Sequence, residues 1–375
     1  MEAETLWNRI NQRLMAKIIG ETSYEGCLSP EPAGNGRYRL ALRGHDYGFR
    51  ARYSCWGWLR VVPESLTRND RPATDATQLV IDAQHALGMT DIVLANFLEE
   101  LQNTLAGDRR QQERLAGLTA EQMLDLPATE LEGLLDGHPK LLANRGRMGW
   151  SQADLEAYSP EAGNRFQLRW LAVAPSLGGT HVGTPPLEQC LEHGEHAALV
   201  RGSGAAGHWP LLPVHPWQWD HRLQAQYGEA LARGLIRDLG VHGHWFQPQQ
   251  SLRTLTNTSV PGNCDLKLAL TVLNTSAYRG IPAGPIALGP ELSQWLWERS
   301  REDPEFARAG LEVQRELAGS HIPHPRQAQI EGVGPDGDGA LEPGNHPTAL
   351  DPRRRTEVEG HVQTVVARGP RHHAH

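Results

Sequence analysis

Four short segments carry side chains that could bind an anion. The first is the basic loop, residues 137–149, which carries His138, Lys140, Arg145 and Arg147 within ten residues. Proline and glycine restrict the backbone of this loop, and dense positive charge on a constrained loop suits phosphate or carboxylate binding. A solvated basic loop is the alternative that composition alone leaves open.

Two further segments are predicted to be strands with polar side chains on one face. In Ser251–Leu255, Ser251 and Arg253 share a face, because side chains alternate along a strand. In Asp265–Val272, Lys267 lies on the face opposite the apolar side chains. The predicted buried face of this second strand consists of Leu266, Leu268, Leu270 and Val272.

The fourth segment, Ser276–Arg279, follows the second strand and adds the cation Arg279. Arg253, Lys267 and Arg279, together with a hydroxyl group, could form a clamp on one sheet face that stabilises a triphosphate. An ordinary exposed sheet face is the alternative.

The segment Pro213–Trp219 has a different character. His215 and His221 could suggest a metal site, but no third ligand has the usual spacing. The sequence therefore predicts a rigid turn with packed indole rings, and no metal-ligating residues.

Lysine is rare in this chain. Among 36 basic residues only Lys17, Lys140 and Lys267 are lysines. A coding bias is the simple cause, yet an ammonium is a compact point charge and a guanidinium a planar fork. At these positions arginine could therefore be a poor substitute.

Composition excludes several classes of function. A net charge of −8 and a pI near 6.1 argue against broad nucleic-acid binding, which needs a basic face. No run of about 18 apolar residues is present, so no membrane-spanning helix is expected. The N-terminus lacks the pattern of a secretory signal, and we expect a cytoplasmic protein.

The fold is predicted to be α+β, in three parts. Residues 1–179 are predicted to form a mostly helical domain with a short β insert, and residues 180–319 a mixed α/β domain. Residues 320–375 are rich in Gly, Pro, Arg and His and are predicted to be disordered, because such a composition buries too little apolar surface.

Local patterns predict several elements of the first part. They are a helix with Leu6, Ile10, Leu14 and Ile18 on one face, a hairpin over Tyr38–Tyr53 that turns at Gly44, two helices over Asp75–Leu105 that break near Gly88, and a helix from Thr119 with a capping box to Gln122.

In this order, the segments resemble the IucA/IucC family, the NRPS-independent siderophore (NIS) synthetases. The basic loop resembles the family's His-Pro…Lys-x-Arg-x-Gly signature. Further matching landmarks are Trp7–Glu25, Tyr158–Glu161, Phe166–Val173, Pro213–Gln218, Ser251–Leu255, Lys267 and Arg279.

The resemblance implies a hand-shaped fold, with a thumb-like first domain and a fingers-like, ATP-binding second domain. It implies magnesium-dependent adenylation of a carboxylate by ATP, commonly citrate or a derivative. Condensation with an amine or hydroxyl, supplied by an amine or hydroxylated amine substrate, would then form an amide or ester. A homodimer is possible, and neither nucleic acid nor a membrane is expected as a partner. The implied phosphate contacts are Ser251, Arg253, Lys267 and Arg279, with His138, Arg145 and Arg147 closing over the nucleotide.

Two departures from the family pattern qualify this expectation. Arg145 stands where the family usually has lysine, and Leu141-Leu142 replaces a second His-Pro. Recognisable sequence stops near Leu317, before the palm that carries the family's metal-binding acids. Magnesium ligands are therefore expected outside this sequence, no catalytic residue is assigned, and a truncated, non-catalytic remnant that at most binds ATP is the alternative.

Overall fold

A computed structural model shows two compact units. Unit 1 comprises residues 1–151 and 272–277, and unit 2 comprises residues 152–271 and 278–375. This division does not follow the predicted boundary at 179/180, because residues 152–179 contribute a strand to the sheet of unit 2. The structure describes residues 3–183, 187–192, 194–202, 209–260, 262–274, 277–279, 281, 283–323 and 363–368.

Unit 1 combines helices with an antiparallel sheet. Its helices are α1 (Ala3–Tyr24), α2 (Ala76–Ala83), α3 (Asp91–Leu115), α4 (Ala120–Leu124) and α5 (Ala128–Leu134). Its strands are β1 (Glu31–Gly34), β2 (Arg37–Leu42), β3 (His45–Tyr53), β4 (Leu59–Val61), β5 (Thr67–Arg68) and β6 (Arg71–Pro72). The strand order is β1-β2-β3-β5-β6, and β4 also pairs with β3.

The predicted elements of unit 1 are present, although α3 continues to Leu115, beyond the predicted end at Leu105. All four apolar side chains of the α1 stripe are buried, since α1 packs against β4 and α3. The hairpin β2–β3 turns through Arg43 and Gly44, both at positive φ (45° and 78°), the geometry of a two-residue loop that matches strand twist. The helix break near Gly88 separates α2 from α3, and the Thr119–Gln122 capping box begins α4.

A buried carboxylate joins the sheet of unit 1 to α2. Asp82 accepts hydrogen bonds from the Tyr47 hydroxyl (2.7 Å), the Arg68 Nε (2.7 Å) and the Gln78 amide (2.9 Å). Burial opposes ionisation of Asp82, but these donors outweigh it and lower its pKa. Asp82 therefore remains charged and links three separate elements.

Unit 2 is built on one eight-stranded antiparallel sheet with strand order β8-β15-β16-β12-β11-β10-β7-β9. These strands are β7 (Phe166–Val173), β8 (Thr180–Gly183), β9 (Leu211–Val214), β10 (Ile236–Pro248), β11 (Thr254–Asn257), β12 (Asp265–Leu268), β15 (Glu316–Ile322) and β16 (Gln363–Arg368). The helices of unit 2 are α6 (Gln152–Tyr158), α7 (Glu195–Gly202), α8 (Pro216–Gln218), α9 (Gln224–Gln226), α10 (Gly228–Ala232), α11 (Ala283–Glu302) and α12 (Pro304–Arg308).

The core of unit 2 lies against this sheet. It includes Trp170, which is fully buried, with Leu168, Val214, Phe246, Leu255, Leu266 and Leu268. Within the described ranges, no helix combines the length and the apolar character that crossing a membrane requires. The α+β class predicted from the sequence is confirmed.

Two strand predictions need correction. Ser251–Leu255 is not one strand: Leu252 has φ of 67°, so residues 251–253 form a turn and β11 begins at residue 254. Likewise, Asp265–Val272 is interrupted at Ala269, where β12 ends and β13 (Leu270–Asn274) begins. The predicted burial of its four apolar side chains is confirmed, but β13 pairs with β14 (Ala277–Arg279) in a separate two-stranded sheet.

The prediction of disorder from residue 320 onward is wrong for two segments. Residues 320–322 belong to β15, and residues 363–368 form β16, which lies between β15 and β12. A short apolar run has too little surface to order itself, but neighbouring strands supply its backbone partners. Residues 324–362 and 369–375 lie outside the described residues.

The segment Pro213–Trp219, predicted to be a rigid turn, comprises the end of β9 and α8. The predicted packing of its indole rings is confirmed, since Trp217 and Trp219 are both buried. His215 caps α8, because its Nδ1 accepts a hydrogen bond from the Trp217 N–H (3.1 Å). Its ring lies edge-on to Tyr158 and Phe166, with centroid distances of 4.8 and 4.9 Å. Complete burial lowers the pKa of His215 to about 3, so the ring is neutral at pH 7.

We therefore expect His215 to make the protein less stable in acid. Below pH ~6.5 the His215 side chain is protonated in the unfolded chain, whereas in the folded chain it stays neutral down to pH ~3. The free energy of unfolding therefore falls by up to about 1.4 kcal/mol per pH unit across that range. In His215→Asn, the amide oxygen can replace Nδ1 as the acceptor that caps α8, but the side chain cannot titrate. Urea denaturation of this variant should show a shallower loss of the free energy of unfolding between pH 6.5 and 4. The exposed His85→Asn is the control. Parallel pH profiles for wild type and His215→Asn would contradict the expectation.

Candidate functional site

The basic loop of unit 1 is attached to α1 and α3 through its backbone. Lys17 of α1 donates from Nζ to the carbonyl oxygen of Leu141 (2.7 Å) and lies 3.5 Å from that of His138. Asn103 of α3 donates to the carbonyl oxygen of Gly146 (2.6 Å). The loop is therefore held in one conformation from its inner side.

Arg145 points into unit 1. Its side chain is 1% exposed, and its guanidinium forms an ion pair with Asp108 and donates to the carbonyl oxygen of Leu135 (3.0 Å). Its backbone N–H donates to the Thr104 hydroxyl (3.3 Å). Burial raises the pKa of Asp108, whereas Arg145 lowers it. Contact between Arg145 and a nucleotide stays a prediction, and it would require this ion pair to open.

Arg147 is also buried, at 1% exposure, and has φ of 40°. Its N–H donates to the Asn274 side chain (3.3 Å), and the guanidinium lies 5.9 Å from the centre of the Trp150 ring. The next residue, Met148, pairs through its N–H with the carbonyl oxygen of Leu273 (2.9 Å). The returning segment 272–277 thus fixes the end of the basic loop.

His138 and Lys140 are the exposed cationic positions of the basic loop. His138 accepts a hydrogen bond at Nδ1 from the Lys140 N–H (3.3 Å), which fixes a small turn. Lys140 forms an ion pair with Glu25 and lies 5.7 Å from the centre of the Tyr24 ring. Of the three loop residues predicted to bind nucleotide, only His138 is exposed to solvent.

In unit 2, the β11–β12 pair brings three predicted phosphate contacts together. Thr254 lies opposite Lys267, and the Leu268 N–H donates to the carbonyl oxygen of Arg253 (2.7 Å). Ser251 Oγ accepts a hydrogen bond from the Thr254 N–H (3.1 Å) and so stabilises the turn. Ser251, Arg253 and Lys267 therefore lie at one corner of the sheet, although the first two occupy a turn rather than the predicted strand.

The Lys267 ammonium has an acidic neighbour that sequence reasoning missed. Its Nζ lies 3.6 Å from Oε1 of Glu316 in β15, and both side chains are partly buried. Pairing across non-adjacent strands leaves no pattern in the sequence, because about 50 residues separate the two. Arg279 lies in β14, and its role stays a prediction.

The Pro213–Gln218 landmark is connected to β13 within unit 2. The Gln218 amide donates to the Thr271 hydroxyl (2.8 Å) and accepts from the Thr271 N–H (2.8 Å). Gln218 is 2% exposed, so it fixes the start of β13 in the way that a neighbouring strand would.

The described residues show no arrangement of side chains that suits a metal ion. Within them, no group of three or more His, Cys, Asp or Glu side chains is placed to hold one. Magnesium bound to a nucleotide generally needs one or two protein carboxylates. These residues do not supply a recognisable set, and no magnesium-dependent step is assigned to them.

Comparison with known proteins places these motifs in context. The sequence pattern of the IucA / IucC family matches residues 127–341, more than half of the chain. The chain is 35% identical over 332 residues to the aerobactin synthase of Escherichia coli, covering 86% of this chain and 57% of that protein. It is 32% identical over 351 residues to the rhizobactin siderophore biosynthesis protein RhbF of Rhizobium meliloti (strain 1021), covering 88% and 57%.

The solved structures agree with this relationship. The aerobactin synthetase IucC from a hypervirulent pathotype of Klebsiella pneumoniae superposes with a TM-score of 0.82 and 31% identity, covering 98% of this chain and 61% of that one. The chain thus spans little more than half the length of these relatives. Because the family pattern matches more than half of the chain, including the whole basic loop and the β11–β12 corner, the chain belongs to the IucA / IucC family.

Proposed function

We propose that this chain acts in siderophore biosynthesis by binding ATP for the adenylation of a carboxylate, citrate or a derivative, and its condensation with an amine or hydroxylated amine. The observation that carries the proposal is the β11–β12 corner, where pairing brings Ser251, Arg253 and Lys267 together. The names of the relatives, aerobactin synthase and a siderophore biosynthesis protein, support the same reaction class.

The chemistry explains why such a corner would be useful. A carboxylate is a poor acyl donor, because its oxygen is a poor leaving group. In adenylation a carboxylate oxygen attacks the α-phosphorus, the bond to the β-phosphate oxygen breaks, and pyrophosphate leaves. The amine then attacks the acyl carbon, AMP leaves with the former carboxylate oxygen, and the amine loses a proton. Positive groups lower the first barrier by neutralising the charge of the triphosphate.

Roles for individual residues follow from the family resemblance and the geometry. Arg253 and Lys267 would contact phosphate oxygens, with Arg279 as a third cation. Ser251 would add a hydroxyl donor once its oxygen has accepted the Thr254 N–H, since a hydroxyl can donate and accept together. From the basic loop, the resemblance assigns His138, Arg145 and Arg147 to nucleotide contact.

Lys267→Met tests the phosphate contact directly. Loss of one charge-assisted hydrogen bond of about 1.5–3 kcal/mol should weaken ATP binding, measured by calorimetry, about tenfold or more. Arg233→Met is the control, because Arg233 is an exposed cation of unit 2 that pairs with Glu229. Equal affinity of Lys267→Met and wild type would reject Lys267 as a phosphate ligand.

Turnover is measured separately, with ATP, magnesium, citrate and a diamine or hydroxylated amine. Release of AMP and pyrophosphate that depends on citrate would support the full reaction. Binding of ATP without turnover would favour the alternative of a non-catalytic ATP-binding chain. Absence of both would overturn the proposal.

Glu316→Gln should strengthen ATP binding, whereas Lys267→Met should weaken it. The Glu316 carboxylate, 3.6 Å from the Lys267 ammonium, competes with phosphate for that charge and repels the anion. Removing its charge should tighten ATP binding roughly two- to fivefold at low salt, with less gain at high salt, because a partly exposed pair is worth about 1 kcal/mol or less. Glu312→Gln, at an exposed position nearby, should change nothing. Weaker binding by Glu316→Gln would show instead that Glu316 orients Lys267.

A further inference from the structure

The basic loop borders a cavity, although its Leu142 and Ala143 also pack against the apolar core of unit 1. The cavity has a volume of about 240 Å³, and its lining includes Lys17, Asp108, Gln111, Leu142 and Asn144. Apolar packing therefore holds this side of the loop only in part. The position of the loop depends on the hydrogen bonds and the ion pair that cross the space between it and the helices.

Those polar contacts come from both helices. Lys17 reaches from α1 to the Leu141 carbonyl, and Asn103 reaches from α3 to the Gly146 carbonyl. Gln111 of α3 donates to the carbonyl oxygen of Leu134 (2.7 Å) and to Asp136 (3.0 Å), just before the loop. All of these carbonyl contacts are made to the backbone, so they fix the path of the chain without using a side chain of the loop.

The guanidinium of Arg145 faces α3. Its ion pair with Asp108 and its bond to the Leu135 carbonyl span the inner side of the loop. A guanidinium at 1% exposure is stable only when it is paired and hydrogen-bonded, so moving it outward would leave Asp108 without its closest cation. Burial lowers the pKa of Lys17 and raises that of Asp108, as expected for charges enclosed by protein.

We propose that Lys17, Asn103, Asp108 and Arg145 form a polar anchor that positions the basic loop for nucleotide binding, with Arg145 acting as a positioning residue rather than a phosphate contact. This inference rests on the proposed function. A loop held in place before binding loses less conformational freedom when the nucleotide arrives, so the anchor improves affinity without touching the ligand. Of the other two loop residues assigned to the nucleotide, His138 is exposed, whereas Arg147 is as buried as Arg145 and would have to move to make contact.

Asp108→Asn distinguishes whether Arg145 contacts phosphate or positions the loop, because the two roles predict opposite changes in ATP affinity. If Arg145 were a phosphate contact, weakening its buried ion pair would release the guanidinium and tighten ATP binding. If Arg145 is part of the anchor, the same change loosens the loop and weakens binding, and we expect a five- to twentyfold higher Kd by calorimetry. Asn103→Ala, which removes one bond at a less buried position, should weaken binding in the same direction if Asp108→Asn fails to fold.

Substitutions of Lys17 test the contribution of α1 to the polar anchor. Lys17→Met should weaken ATP binding several-fold, and Lys17→Arg, which can still donate to carbonyl oxygens, should restore most of the affinity. Arg9→Met, two turns earlier on α1, is the matched control and should bind ATP as wild type does. A general loss of stability would not be expected to show this rescue.

The position of the loop is also measured without nucleotide. In Lys17→Met and Asp108→Asn, amide hydrogen exchange over residues 138–149 and tryptic cleavage after Lys140, Arg145 and Arg147 should rise at least fivefold, with α2 unchanged. If wild type binds ATP but exchange and affinity do not change in these variants, the anchor is rejected and the proposed function stands. If wild type does not bind ATP, the proposed function fails and the positioning role fails with it, whatever the exchange shows.

Discussion

A buried guanidinium needs a buried partner, and this constraint organises the basic loop. Arg145 is taken out of water almost completely, and the Asp108 carboxylate and the Leu135 carbonyl help to make that position stable. The pair requires α3 to lie directly behind the loop, and Lys17 fixes the same loop to α1.

In unit 2 the positions of the predicted phosphate contacts depend on a different constraint, the pairing of backbone groups in an antiparallel sheet. The register that sets Thr254 opposite Lys267 also brings the turn at residues 251–253 beside β12. Leu252 takes positive φ in that turn and buries its side chain at 1% exposure. The cost of this backbone conformation is offset by burial, and Ser251 and Arg253 are placed next to Lys267 as a result.

The basic loop and the β11–β12 corner both contact segments that are distant in the sequence. The Asn274 side chain and the Leu273 carbonyl fix the end of the basic loop, more than 120 residues away. Gln218 holds Thr271 with two hydrogen bonds, and Glu316 places a carboxylate near Lys267. A reader of the sequence has no local periodicity from which to infer such contacts, because each depends on how separate elements pack.

The sequence by itself determined the α+β class, the family, the amphipathic face of α1, the Gly44 hairpin, the helix break near Gly88 and the capped start of α4. These features depend on local periodicity, turn geometry and side-chain capping, which neighbouring residues specify. Only the tertiary structure decided that Arg145 faces inward, that Ser251–Arg253 is a turn, and that residues 363–368 join the sheet. Each of these depends on a partner elsewhere in the chain, namely Asp108 for Arg145, β12 for the turn, and β12 with β15 for the last strand, and a buried charge or an unpaired strand is stable only where such a partner is present.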